Sequence, residues 1–142
     1  MVSACLAGID CKYNGGNNRD EYVLKLMAEH EVIPVCPEVL GGLPTPRVPS
    51  EIRDGTVISK DGRNVDEEFR SGARKCLEIA RRQRPELIIL KSRSPSCGVR
   101  EHYDGSFTGT LTEGPGIAAQ LLMENGFNVT EEAELEKKGG RL

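Results

Sequence analysis

The run Leu87-Ile88-Ile89-Leu90 constrains this chain most, because four consecutive apolar side chains in a strand point alternately to both faces of a sheet. Such a strand belongs at the centre of a parallel sheet with helices above and below. The remaining segments supply its partners. Val2 to Leu6 and Val32-Ile33-Pro34-Val35-Cys36 read as further strands, with Pro34 suited to an edge or a bulge because it cannot donate to a ladder. Phe127-Asn128-Val129 supplies a fourth. Helical spacing predicts a helix from about Asp20 to His30 on Tyr22, Val23, Leu24 and Met27. A second helix of about four turns is expected to start from Asn64, with Glu67 three residues on, and to carry Phe69, Ala73, Cys76, Leu77 and Ala80 on one face. A third opens at Pro115, faces Ile117, Leu121 and Leu122 inward and stops at Gly126.

These alternating elements in 142 residues fit one α/β domain with right-handed crossovers and strand order 2-1-3-4, a small Rossmann-like or flavodoxin-like sheet. Small hairpins are expected as insertions, one around Thr56 to Ser59 between Asp54-Gly55 and Asp61-Gly62, another at Tyr103-Asp104-Gly105. Pro37 to Pro49 holds four prolines and Gly41-Gly42, which predicts a shaped loop without regular helix. Thr130 is expected to cap a polar terminal helix that frays at Gly139-Gly140, leaving a polar tail from about residue 136.

The balance of 19 Lys and Arg against 22 Asp and Glu gives no electrostatic reason to expect nucleic acid or an anionic membrane as partner. The cluster Arg81-Arg82-Gln83-Arg84 suits the negative end of a helix dipole. No apolar stretch reaches the roughly 20 residues that span a bilayer, and Met-Val-Ser-Ala-Cys lacks the regions of a signal peptide, so a cytoplasmic protein is expected. Gly41-Gly42 and Gly114-Pro115-Gly116 match neither the P-loop nor the dinucleotide spacing and read as chain turns.

Five cysteines in a reducing compartment point to ligands, nucleophiles or core residues rather than to a disulfide framework. Cys76 falls on the apolar helix stripe and reads as a small hydrophobe. Cys5, Cys36 and Cys97 each sit where a strand-like run gives way to a loop, so a parallel sheet would gather them at the carboxyl ends of its strands. There they could hold a metal or an iron–sulfur cluster with one position open, or be buried thiols. Cys11, in the first loop, is an extra ligand, a resolving thiol or a plain loop residue. Glu38 stands two residues past Cys36 in a loop of apolar, Gly and Pro residues. It is either a general acid/base with a raised pKa or a solvated carboxylate. Ser92, Ser94 and Ser96 could bond a ligand or merely shape a turn. His30 ends a helix and His102 lies in a charged loop, and neither points to chemistry.

The segments Val2-Ser3-Ala4-Cys5-Leu6-Ala7-Gly8, Cys36-Pro37-Glu38 through Arg47, and Lys91-Ser92-Arg93-Ser94-Pro95-Ser96-Cys97-Gly98, with Tyr103-Asp104-Gly105 beyond, resemble the thiouracil desulfidase family of small bacterial and archaeal proteins. The likeness runs from Val2 to about Val129. It implies a [4Fe-4S] cluster held by Cys5, Cys36 and Cys97 with one iron free of protein ligation. It also implies catalytic roles for Glu38 and Ser92, substrate contacts from the motif residues Ser94, Ser96, Tyr13 and Asp104, and non-redox desulfuration of a thiolated small molecule such as 2- or 4-thiouracil. Sulfide would leave, with or without an acceptor. Ala7 and Lys12-Tyr13-Asn14-Gly15 depart from the family's usual second Leu and Arg-Tyr-Asp-Gly, which bears on substrate identity. The rival readings are a non-catalytic sulfur or cluster carrier and a zinc or redox cysteine module.

Overall fold

The structure is a computed structural model that describes residues 1–139. Strand β1 (Val2–Ser3) leads into a 3-10 turn over Ala4–Ala7, followed by α1 (Glu21–Glu29), β2 (Pro34–Val35), α2 (Pro37–Leu40) and the hairpin β3 (Ser50–Arg53) and β4 (Thr56–Ser59). Then come α3 (Asp66–Gln83), β5 (Ile88–Leu90), a second hairpin β6 (Glu101–Tyr103) and β7 (Leu111–Glu113), α4 (Ile117–Glu124), β8 (Val129–Glu131) and α5 (Glu132–Lys137).

Four parallel strands lie in the order β2-β1-β5-β8, which is the expected 2-1-3-4. Val2 registers with Pro34 on one side and Ile89 on the other, and Ile88 with Val129. Pro34 is thus in the edge strand β2, where its missing N–H costs no ladder bond. The two-sided strand is β5. Ile88 and Leu90 pack with Cys76, Leu77 and Ala80 of α3 and with Ala119 and Leu122 of α4, while Ile89 faces Val23 and Leu135 from α1 and α5. Burying each of those side chains contributes about 1.5–3 kcal/mol, which is why so short a strand is secure.

Local chemistry sets the helix starts. Asp20 Oδ1 accepts the N–H groups of Tyr22 and Val23, both at 3.0 Å, and so begins α1. Asn64 Oδ1 accepts Asp66 N–H at 2.9 Å, with Val65 in the cap position itself. Asp66 Oδ1 in turn takes Val57 N–H at 3.0 Å and ties β4 to α3. With 18 residues, α3 makes about five turns rather than four.

Three local expectations are corrected. β1 stops at Ser3 because the chain tightens into the 3-10 turn closed by Gly8 at φ +87°, so Cys5 rides on the turn and not on the strand. Pro37–Leu40 is one turn of helix inside the proline-rich loop, since a proline in the first helical position needs no N–H partner. That turn is seated by backbone contact: a Cβ on Gly72 of α3 would lie 1.8 Å from Pro37 O, and one on Gly41 would lie 1.9 Å from Glu68 O. Thr130 lies in β8, opposite Ile89, and Glu131 takes the cap position of α5. The expected polar terminal helix is α5, which ends at Lys137 ahead of Gly139, and Gly140 falls outside the described residues.

Candidate functional site

Parallel strands place their carboxyl ends on one side of a sheet, and here that side opens into a cavity of about 610 Å³. Cys5 reaches it from the 3-10 turn, Cys36 from the junction of β2 and α2, and Cys97 from the loop between β5 and β6. Cys11 lines it as well. Tyr13, Glu38, Ser92, Ser94 and Ser96 share the wall. Cys76 does not: it is 1% exposed in the core beneath the sheet, where burial pushes its thiol up to about 12.

Asp104 is not in this cavity. It borders a separate cleft with Arg70 and His102, and its Oδ1 accepts Ser106 N–H at 2.9 Å, the work of a turn residue. His102 in that cleft has Nδ1 2.9 Å from Tyr103 O, and His30 is an exposed helix terminus.

The thiols sit in different electrostatic settings. Burial raises Cys97, with the hydroxyls of Ser3 and Ser96 opposing weakly, and burial also raises Cys5 against a hydrogen bond from Asn18. Cys36 is pulled down to about 6. The Cys11 thiol donates to it, Val39 N–H and the Arg47 guanidinium help, and together they outweigh its burial. Cys11, as that donor, is pushed up. Charge on Cys36 disfavours charge on Cys5, and charge on Cys5 disfavours it on Cys97, so the three form one electrostatic neighbourhood. Among the described residues no three Cys, His, Asp or Glu side chains close around a point at single-ion spacing. Three soft thiols brought from separate loops to one roomy cavity fit an iron–sulfur cluster.

The setting of Glu38 differs from the expected apolar loop. Its Oε1 accepts Arg47 Nε at 3.1 Å and its Oε2 accepts Ser96 Oγ at 2.8 Å. The pair is shielded, with side-chain exposures of 6% for Arg47 and 16% for Glu38. Arg47 also donates from Nη2 to Cys11 O at 2.9 Å and from Nη1 to Thr45 Oγ1 at 3.0 Å, so one guanidinium joins the first loop to the proline-rich loop. Ser96 is 2% exposed, and its Oγ lies 3.0 Å from Ser94 Oγ and 3.7 Å from Cys97 Sγ. Ser94 Oγ accepts Cys97 N–H at 3.1 Å, which shapes the Cys97 turn.

Ser92 borders the cavity beside Lys91, whose Nζ donates to Ser92 Oγ at 3.1 Å and pairs with Glu132 Oε2 at 3.2 Å. Glu132 Oε1 takes Ser92 N–H at 2.6 Å, and Glu131 Oε2 takes Val99 N–H at 3.0 Å. Both acids are buried. Arg47, Lys91, Glu131 and Glu132 were not singled out in the sequence. Arg47 and Lys91 do stand at the ends of two motif segments, and the signal for Glu131 and Glu132 is a pair of adjacent acids with no cation one turn away.

The fold and this cavity define a small α/β protein, one four-stranded parallel sheet with two hairpins, that carries a thiol-lined site at the carboxyl ends of the parallel strands. The chain belongs to the 2-thiouracil desulfurase family, whose family model matches residues 1–134. It is 40% identical over 145 residues to the Bacillus subtilis protein YbbK, described as uncharacterized, covering 95% of this chain and 96% of that one. Among solved structures it is similar to the [4Fe-4S]-dependent thiouracil desulfidase TudS, with TM-score 0.90 and 38% identity over 96% of this chain and 91% of that one. The resemblance and the sheet read from the sequence both stand.

Proposed function

We propose that this protein is an enzyme that removes sulfur from a thiolated small molecule such as 2- or 4-thiouracil without net redox change, at a [4Fe-4S] cluster held by Cys5, Cys36 and Cys97. The observation that carries this reading is the meeting of three thiols from three loops with one clamped carboxylate, Glu38, in the lining of a single cavity. Family membership and the likeness to TudS support it. With only three protein ligands, the bound cluster keeps one iron open and supplies a soft Lewis acid for the thiocarbonyl sulfur.

The chain's own residues do the rest. Glu38 accepts one hydrogen bond on each oxygen and keeps lone pairs free, so it can take a proton from a water that attacks the thiocarbonyl carbon. Arg47 and Ser96 fix the direction in which those lone pairs point. The proton held by Glu38 passes to sulfur, which leaves as hydrosulfide with the electron pair of the C–S bond, while the water oxygen becomes the carbonyl oxygen and gives up its second proton to solvent. Ser92, held by Lys91, orients the substrate or that water, and Tyr13 with Phe107 supplies flat walls for a planar heterocycle. No helix among the described residues is long and apolar enough to cross a membrane. A cytoplasmic location, no nucleic-acid partner and release of sulfide to water or to an acceptor complete the reading.

The test is anaerobic reconstitution followed by desulfuration of thiouracils. About four irons and four sulfides per chain are expected, with cluster loss in Cys5→Ser, Cys36→Ser and Cys97→Ser. Glu38→Gln should keep the cluster and lose about 10²–10⁴-fold in turnover. Zinc in place of iron in protein isolated without oxygen would refute the cluster, and normal turnover by Glu38→Gln would leave a sulfur or cluster carrier.

A further inference from the structure

The Tyr103-Asp104-Gly105 segment carries part of the family resemblance, yet Asp104 lies outside the cavity. What reaches the cavity from this hairpin is Tyr103, Phe107 and Gly109. Phe107 is half-buried, and among the described residues its ring joins none of the apolar core clusters. Its backbone is left-handed at φ +57°, a conformation that a bulky side chain keeps only where its surroundings fix it.

The fixing groups are on the other hairpin. Glu51 Oε1, on β3, accepts Gly105 N–H at 3.0 Å and Phe107 N–H at 3.1 Å, so a single carboxylate oxygen binds the backbone on both sides of Ser106. Such bonds are charge-assisted and stronger than neutral ones. Arg53, on the same strand, donates to Gly105 O from Nε at 3.0 Å and from Nη2 at 2.7 Å, so Gly105 is held at both its N–H and its carbonyl. The approach is close: a Cβ on Gly105 would lie 2.5 Å from Arg53 Cβ and 2.9 Å from Ile52 O. Asp104 N–H donates to Thr110 O at 3.0 Å and closes the loop at its base.

We propose that Glu51 is a positioning residue for the substrate: its carboxylate fixes the β6–β7 loop in the shape that presents Phe107 to the cavity, and so sets affinity for a planar thiolated ring through Phe107. The loop clause rests on the contacts above alone, while the substrate clause rests on the desulfidase reading. A ring that stacks on the heterocycle equally before and during reaction lowers KM and leaves kcat alone. Glu51 and Glu38 both line the cavity, but loss of Glu51 moves KM where loss of Glu38 moves kcat.

The experiment uses reconstituted full-length protein with 4-thiouracil as substrate and uracil as competitive inhibitor. It compares Glu51→Ala, Glu51→Gln, Phe107→Ala and the double alanine variant with the parent. Each single alanine variant should raise KM for 4-thiouracil and Ki for uracil by about tenfold or more, the scale of one stacked base, with kcat within about threefold of the parent. The double variant should go no further than Phe107→Ala, because Glu51 acts through that ring. Glu51→Gln keeps an accepting oxygen and should stay within about threefold of the parent. Hydrogen exchange in peptides spanning 104–110 should quicken about tenfold or more in Glu51→Ala and not in Glu51→Gln, while the parallel sheet stays protected. Additive effects on KM would make Glu51 a direct substrate contact and overturn the proposal, as would a loss confined to kcat. Unchanged exchange at 104–110, or faster exchange throughout the chain, overturns the clamp. If the parent leaves 4-thiouracil intact, the desulfidase reading and the substrate clause fail together, and the exchange measurement still decides the clamp.

Discussion

The loops that carry Cys36 and Cys97 deliver the same side chain to the same cavity by opposite means. The Cys36 loop is seated on α3 by backbone contact at Gly41 and Gly72 and knotted by the Arg47 guanidinium. The Cys97 loop is gripped from the far end of the chain by two buried carboxylates, Glu131 and Glu132. A cation therefore stands by one thiol, while the other is enclosed with hydroxyls. Cys36 is pulled down to about 6 and Cys97 is pushed up. The difference teaches that the loop next to Glu38 is organised by a cation inside its own sequence, while the second loop is organised by two acids supplied from the far end of the chain.

Breaking the backbone seat should have the largest effect. In Gly72→Ala the added Cβ meets backbone alone, Pro37 O and C and Gly41 N, so α2 must move, at a cost of about 3 kcal/mol or more in urea unfolding and with loss of cluster uptake. A stability within about 0.5 kcal/mol of the parent would show that α2 is not seated in this way. Next comes Glu132→Ala, which leaves Lys91 without its partner and Ser92 N–H without an acceptor. The side chain is 7% exposed and its lysine only partly, so a loss of about 2–3 kcal/mol is expected, below the full range for a buried pair. Glu131→Ala, which loses the single bond to Val99, should cost about 1–2 kcal/mol, and a reversed order would place the main grip at Val99.

Arg47→Lys sharpens the contrast by keeping the charge and losing the fan of hydrogen bonds. Its expected signature is a kcat at least tenfold down with cluster content and fold retained. Unchanged kcat would free Glu38 from dependence on that geometry. The smallest effect concerns thiol reactivity in the cluster-free protein. Cys36 should be alkylated by iodoacetamide with a midpoint near pH 6, being thiolate above it and thiol below, while Cys97 stays unreactive through neutral pH. Cys11→Ala removes the donated hydrogen bond and should move the Cys36 midpoint upward, and a midpoint that stays put would assign the shift to Arg47 and the Val39 N–H.

What the sequence determined by itself was the sheet and its order. A continuous apolar run at 87–90, two helices with regular apolar spacing and one proline-bearing strand leave little freedom, because burial is read from local periodicity. The three cysteines and Glu38 were legible for a related reason, since loops after parallel strands share one end of the sheet whatever their detailed shape. Tertiary structure alone decided which charges hold those loops. Arg47 reaches Glu38 and Cys11 O, and Glu132 reaches back 40 residues to Ser92, contacts that no spacing rule encodes because they depend on how loops close in space. It likewise separated Asp104 from the cavity despite its place beside a motif, and set Cys11 against Cys36 across 25 residues. Periodicity reports which side chains leave water, whereas directional polar contacts form between groups whose distance is fixed only once the core has packed.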